Sequence, residues 1–223
     1  MKRALFAAVL LAFTALAAAP KLPDKPLASE AAFVNGQTKI LNAKYKTPAD
    51  AEKAGYFRYT NEDNTGAISY VNLQWDSSKD PQNPQPSQLW YDVKGRLIGA
   101  DYSVPYTDAN AGAPPKLWGL NPGRWATFKH AHVHYVLKDD KGTMVYGKAV
   151  SAKDFVANGG DLNNPAAAPL VKMKKADDAD DVVKVFTFPA QYDVEIWVVP
   201  NPLGAFAEKN PMVKPSKNAE TGM

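Results

Sequence analysis

The stretch Leu89-Trp90-Tyr91-Asp92-Val93-Lys94-Gly95-Arg96-Leu97-Ile98-Gly99-Ala100-Asp101-Tyr102-Ser103-Val104 decides the fold class. Two runs rich in aromatic and branched residues flank Lys94-Gly95, a pair suited to a tight reversal, so the segment reads as an antiparallel hairpin. Period-two alternation puts Ile98, Ala100, Tyr102 and Val104 on one face of its second strand and Gly99, Asp101 and Ser103 on the other. Working outward, residues 67–75 read as a strand and 76–87 as a Pro/Asn/Asp-rich loop. A second loop, rich in Pro, Gly and Trp, covers 105–126, and strands follow at 129–137, 144–147, 183–188 and 192–199. Thr47, Pro48, Asp50 and Gly55 carry the cap, first-turn and stop signals of a short helix over 48–54. Ser151 caps a second helix over 152–157, ended by Asn158-Gly159, and 159–181 reads as loop. About seven strands and two short helices predict an α+β, mainly β fold, an antiparallel sheet or a small sandwich.

The chain has 223 residues, 45% of them hydrophobic and 22% charged, with three histidines and no cysteine. Absence of cysteine excludes a disulfide framework, a thiol nucleophile and any Cys-ligated zinc or iron–sulfur centre. Lys2 and Arg3 precede an apolar or small run from Ala4 to Ala17, and Ala15-Leu16-Ala17 and Ala17-Ala18-Ala19 offer small-x-small cleavage sites. Residues 1–19 therefore read as a secretory signal peptide. The run is shorter than the roughly 20 residues a spanning helix needs, and no other segment is long enough, so a periplasmic or secreted protein without a membrane span is expected. Cleavage would remove two of the 26 basic residues and none of the 23 acidic ones, leaving 204 residues and a charge of +1 in place of +3. That balance gives no footprint for nucleic acid. Residues 20–46, with Pro20, Pro23 and Pro26, read as an extended N-terminal arm, 47–215 as a single globular domain, and 216–223 as a disordered tail.

All three histidines fall in His130-Ala131-His132-Val133-His134. On a strand the three imidazoles share one face, and Ala131, Val133, Tyr135 and Leu137 form the apolar face against the core. Neighbouring imidazoles at i and i+2, with Cα atoms about 6.6 Å apart, are spaced to chelate one ion, whereas the outer pair is about 13 Å apart. Two of the three, with His132 in either choice, are therefore expected to bind together with a ligand from another strand. In 192–198 the apolar set Val194, Ile196 and Val198 leaves Asp193 and Glu195 on the opposite face. Glu195 is the candidate ligand, and Asp101 is a similar case. The candidate metal set is thus His130, His132, His134 and Glu195, suited to Zn²⁺, Mn²⁺, Fe²⁺ or Cu²⁺. The alternative is a polar row that faces water or bonds across strands.

Trp118, Arg124 and Trp125 lie in the long loop before the histidines and are candidate ligand-binding residues, since exposed aromatics stack on rings; covering a sheet edge is the other use for them. Nucleophile elbows and phosphate-binding glycine loops are missing.

Several segments together carry a resemblance. They are Thr47-Pro48-Ala49-Asp50-Ala51 to Gly55-Tyr56, Tyr70-Val71-Asn72, Asp80-Pro81 to Pro84, Leu89-Trp90-Tyr91, Gly95-Arg96-Leu97-Ile98-Gly99-Ala100-Asp101-Tyr102, the His-x-His-x-His strand, and Asn201-Pro202-Leu203-Gly204-Ala205-Phe206-Ala207 to Asn210-Pro211. In these the chain resembles a group of uncharacterised exported bacterial proteins over nearly its whole mature length. Some members carry His where this chain has Ser69 and Glu195, which implies an exchange of ligands between strands if that face binds metal. The group brings no activity with it.

The leading expectation is an exported soluble protein that binds a divalent metal or a small ligand on a His-lined sheet face. A second is a metal-dependent hydrolase or lyase at the same site, with Glu195 or Asp101 as general base. A third is a non-catalytic envelope interaction protein, a homo-oligomer with the His face at its subunit interface.

Overall fold

The computed structural model describes residues 26–220; the signal-peptide reading of 1–19 lies outside them. Nine strands form two antiparallel sheets among the described residues. They are β1 (Phe57–Arg58), β2 (Ile68–Val71), β3 (Gln88–Tyr91), β4 (Leu97–Pro105), β5 (Ala126–Phe128), β6 (His132–Lys138), β7 (Met144–Ser151), β8 (Val182–Phe188) and β9 (Gln191–Trp197). The larger sheet has the order β1-β2-β3-β4-β9-β5 and the smaller β7-β6-β8. The α+β, mainly β class holds, with two more strands than expected and four α-helices in place of two.

The hairpin β3–β4 turns at Gly95, whose φ of 73° suits a residue without a Cβ. The alternation along β4 breaks once. Trp90 pairs with Gly99 but Tyr91 pairs with Leu97, so Ile98 is the extra residue of a bulge. Ile98 accordingly packs with Trp90, Trp197 and Val213, away from Ala100 and Tyr102, with which the simple period had grouped it.

The helix α2 (Pro48–Lys53) starts on Thr47, whose hydroxyl accepts from the Asp50 amide, and α3 (Ala152–Ala157) starts on Ser151 in the same way. A further helix, α4 (Ala168–Lys172), occupies part of the segment expected as loop. The extended arm expected over 20–46 is corrected within the described residues: 28–44 is a helix, α1 (Ala28–Lys44). Its buried residues are Glu30, Phe33, Gln37 and Leu41, a helical stripe in which two of four members are polar, which is why hydrophobic periodicity is weak there. The Glu30 carboxylate accepts from Arg124 Nε at 3.0 Å and Nη2 at 3.2 Å and from the amides of Leu27 and Asn121. Burial would raise its pKa, but Arg124 and the two amides outweigh this and lower it. Gln37 Oε1 accepts from the Tyr102 hydroxyl at 2.8 Å. With these partners the helix covers one face of the larger sheet, over Tyr102, Tyr91 and Ile196.

The disordered-tail expectation is also corrected as far as Glu220. Ser216 donates through its amide and hydroxyl to the Glu62 carboxylate, and Asn61 Nδ2 donates to Glu220 at 2.6 Å.

The other face of the larger sheet meets the smaller one. Tyr59 and Val71 pack with Val136, Phe186 and Phe188 between them. The sheets join at a corner: β5 and β9 pair in one, and their continuations β6 and β8 pair in the other. Pro189, which has no N–H to give the ladder, sits between β8 and β9. On the far side the Gly147 amide donates to the Tyr59 carbonyl at 2.9 Å, linking β7 to the chain after β1. No helix of the described residues is long and apolar enough to cross a membrane.

Candidate functional site

Two polar groups occupy the space between the sheets. The first comes from β4 and β9, where Asp101 pairs with Glu195 and Ser103 with Asp193. The period-two rule places Asp101 and Ser103 on the inner face of β4, and Asp193 and Glu195 on the matching face of β9. One carboxylate oxygen of each of Asp101, Asp193 and Glu195 lies within 4.8 Å of the others. Asp101 and Asp193 are buried and Glu195 is exposed at the rim.

Each of the two buried carboxylates has a fixed neighbour. Trp90 Nε1 donates to Asp101 Oδ2 at 3.3 Å, and the Ser103 hydroxyl donates to Asp193 Oδ1 at 3.1 Å. A Cβ on Gly99 would come within 2.2 Å of Trp90 Cε3, so the indole lies on bare backbone and its N–H is aimed by that contact. Asp101 Oδ1 and both amide atoms of fully buried Gln191, on the same face of β9 as Asp193, have no hydrogen-bond partner. The ion pairs of the described residues are Arg96–Asp92 and Arg124–Glu30, so no cation is paired with the trio. Burial, and then Asp193 and Glu195, push Asp101 well above its ordinary pKa of 3.8. Burial and Glu195 do the same to Asp193. The Glu195 side chain reaches solvent, yet surrounding protein and the charges of Asp63 and Glu208 raise its pKa as well.

The second group is the pair His132 and His134 on β6, with Nε2 atoms 2.9 Å apart. Their rings stack on Phe188 and Phe186 with centroids 4.8 and 5.6 Å away. Tyr59 meets His134 edge-on at 5.0 Å, and its hydroxyl donates to Gln88 Oε1. The Tyr59 pKa is raised by burial and then by Asp101 and Asp193, so the residue that meets His134 also senses the carboxylates. Burial lowers the pKa of both imidazoles; that of His134, with His132 also beside it, falls to about 3.

The structure redistributes the residues singled out from sequence. His130 is exposed and precedes β6, in the corner between sheets, so the strand carries two of the three imidazoles. The imidazole face is covered, because β6 is packed on both sides: Val133 and Tyr135 against Phe155 and Leu170, the imidazoles against the larger sheet. Glu195 groups with Asp101 and Asp193 and not with the histidines. Asp193 was the residue not selected, although its place two before Glu195 marked it as a neighbour on that face. The expected ligand-binding loop is a docking surface for α1. Trp125 is buried, Trp118 stacks on Phe33 at 5.2 Å, and Arg124 is held by Glu30.

Two surface cavities, of about 400 and 290 Å³, lie elsewhere, one beside Arg58, Glu62 and Ser216, the other beside Leu137, Lys174 and Asp181. Neither is lined by the trio or the imidazole pair. No protein-family model, curated protein or solved structure matches the chain.

Proposed function

We propose that this is an exported protein that binds a hard divalent cation, Ca²⁺ or Mn²⁺, between its sheets through Asp101, Asp193 and Glu195. The observation that carries the reading is three converging carboxylates, two of them buried, with no cationic side chain among the described residues to balance them. Like charges so placed repel, and a buried carboxylate without a partner must hold a proton or a cation. Oxygens around one calcium ion at about 2.3–2.6 Å are separated by at most about 5 Å, which the trio satisfies, and an all-oxygen set favours hard cations over Zn²⁺ or Cu²⁺. The unpartnered Asp101 Oδ1 supplies a free lone pair, and exposed Glu195 gives an entry from solvent.

The test is calorimetric titration of chelator-treated mature protein with Ca²⁺ and Mn²⁺, with thermal melts alongside. One ion per chain and a rise in melting temperature are expected, both abolished in Asp101→Asn and Asp193→Asn variants that remain folded. Absence of binding and of any melting shift in the parent protein would refute the reading.

A further inference from the structure

We infer, on the reading of the trio as a cation site, that the side-chain amide of Gln191 is its inner ligand: Oε1 is a fourth, neutral oxygen beside Asp101, Asp193 and Glu195 and directs the site to Ca²⁺ over Mg²⁺.

Gln191 is the first residue of β9, and alternation sets it on the same face as Asp193 and Glu195. It is fully buried, and neither Oε1 nor Nε2 has a hydrogen-bond partner among the described residues. An amide left so is costly to bury, and native interiors seldom tolerate it. The buried side-chain oxygens without a partner in the described residues are two, Asp101 Oδ1 and Gln191 Oε1. Both stand on this one face of the larger sheet.

Strand register shows what the amide has around it. Across the sheet Gln191 pairs with Pro105 on β4 and Phe128 on β5, and the next residue of β5 on this face is Ala126. None of the three has a polar side chain. The neighbours that do are Ser103 and Asp193, which pair with each other one step along the same face. Ser103 is already committed, since its hydroxyl bonds to Ser87 and donates to Asp193 Oδ1. On this face the carboxylate site is therefore what the amide has to meet.

Its two atoms need opposite partners. Nε2 needs an acceptor, which a carboxylate supplies, whereas Oε1 needs a proton donor or a cation. A cation held by the trio meets Oε1 and Asp101 Oδ1 together and leaves carboxylate lone pairs for Nε2. Three carboxylates already exceed the charge of a divalent ion, so a further ligand avoids added repulsion only if it is neutral, as an amide oxygen is. Calcium takes about 6–8 oxygens in flexible geometry, Gln carbonyls among them, while Mg²⁺ dehydrates reluctantly and keeps several waters. A buried protein oxygen on the inner side stands where such a water would be, which Ca²⁺ accepts and Mg²⁺ resists.

The test compares the mature protein with Gln191→Met, which keeps the length of the side chain but offers no hard oxygen. Calorimetry gives the Ca²⁺ and Mg²⁺ affinities, and luminescence lifetimes of bound Tb³⁺, a hard probe close to Ca²⁺ in size, in H₂O and D₂O count the waters on the ion. The parent should prefer Ca²⁺. Gln191→Met should lose at least the roughly 10-fold in Ca²⁺ affinity that an outer partner is worth and hold one more water on Tb³⁺. Its metal-free form should melt no lower than the parent, because two unsatisfied polar atoms are gone. A packing role alone would lower that melting temperature and leave the water count unchanged. If the parent binds Ca²⁺ and Gln191→Met binds it equally well with the same water count, Gln191 is not a ligand and the trio stands without it. If the parent binds no Ca²⁺, both fall, and Mg²⁺ binding as tight as Ca²⁺ overturns the selectivity. Should the variant fail to fold, the side-chain carbonyl ¹³C resonance of Gln191 in the parent decides: it moves on addition of Ca²⁺ if Oε1 is a ligand, and an unmoved resonance rules the ligand out.

Discussion

The carboxylate trio and the imidazole pair share one interior and solve burial in opposite ways. Asp101, Asp193 and Glu195 repel one another, and burial drives their pKa values up. His132 and His134 are driven down and share a hydrogen bond, so they stay neutral without outside help. Tyr59 stands between them, edge-on to one and within the field of the other. What separates the two groups is who supplies the missing charge. A carboxylate cluster needs a cation or protons, whereas a hydrogen-bonded imidazole pair needs neither.

The contrast can be broken most severely at the wall of the pair. Phe186 is buried and stacks on His134, so Phe186→Ala should cost about 3–5 kcal/mol in urea unfolding. The imidazole resonances should move, whereas calcium affinity should change little. Next in size is Gly99→Ala. The new Cβ meets Trp90 and the Ile196 carbonyl, which should cost about 1–3 kcal/mol by overpacking. It should also displace the indole from Asp101 and weaken calcium binding while leaving the imidazole resonances in place.

A pH series sharpens the comparison through its signs. The folded trio binds more protons than the unfolded chain above the ordinary carboxyl pKa of 3.8. Its contribution to stability is therefore present at low pH and is lost as pH rises. For His134 the folded value of about 3 lies below the ordinary 6.5, so its contribution is present above 6.5 and is lost as pH falls toward 3. The two slopes oppose each other below about pH 6.5, the trio's part being a decline in the stability of the metal-free protein as pH rises above the ordinary carboxyl value. Asp193→Asn should flatten that decline, as should saturating calcium, whereas His132→Ala should leave it in place; melting temperatures from pH 4 to 9 would show it. The smallest effect belongs to His130→Ala. Because His130 is exposed and outside β6, the change should stay within about 0.5 kcal/mol and shift no ligand affinity substantially.

Much of this arrangement is legible in the chain. The caps at Thr47 and Ser151, the turn at Lys94-Gly95 and the alternation along β4, β6 and β9 are local, and local signals survive folding unchanged. They suffice to group Asp101 with Ser103, Asp193 with Glu195, and His132 with His134. Two errors show where such reading stops. The helix α1 was hidden because Glu30 and Gln37, polar residues with distant partners Arg124 and Tyr102, occupy half of its buried stripe. Ile98 was assigned to the wrong face because a bulge shifts the period by one, and nothing in the local sequence announces it.

The sequence by itself determined which side chains share a face, since a strand's period of two is a property of its own backbone. Only the tertiary structure decided what covers each face. It covered the imidazoles in part by packing β6 on both sides, and it moved Glu195 from the histidines to Asp101 by pairing β4 with β9 across some ninety residues of chain. Register between distant strands and the stacking of one sheet on another are set by the sum of many non-local contacts, which no single segment encodes.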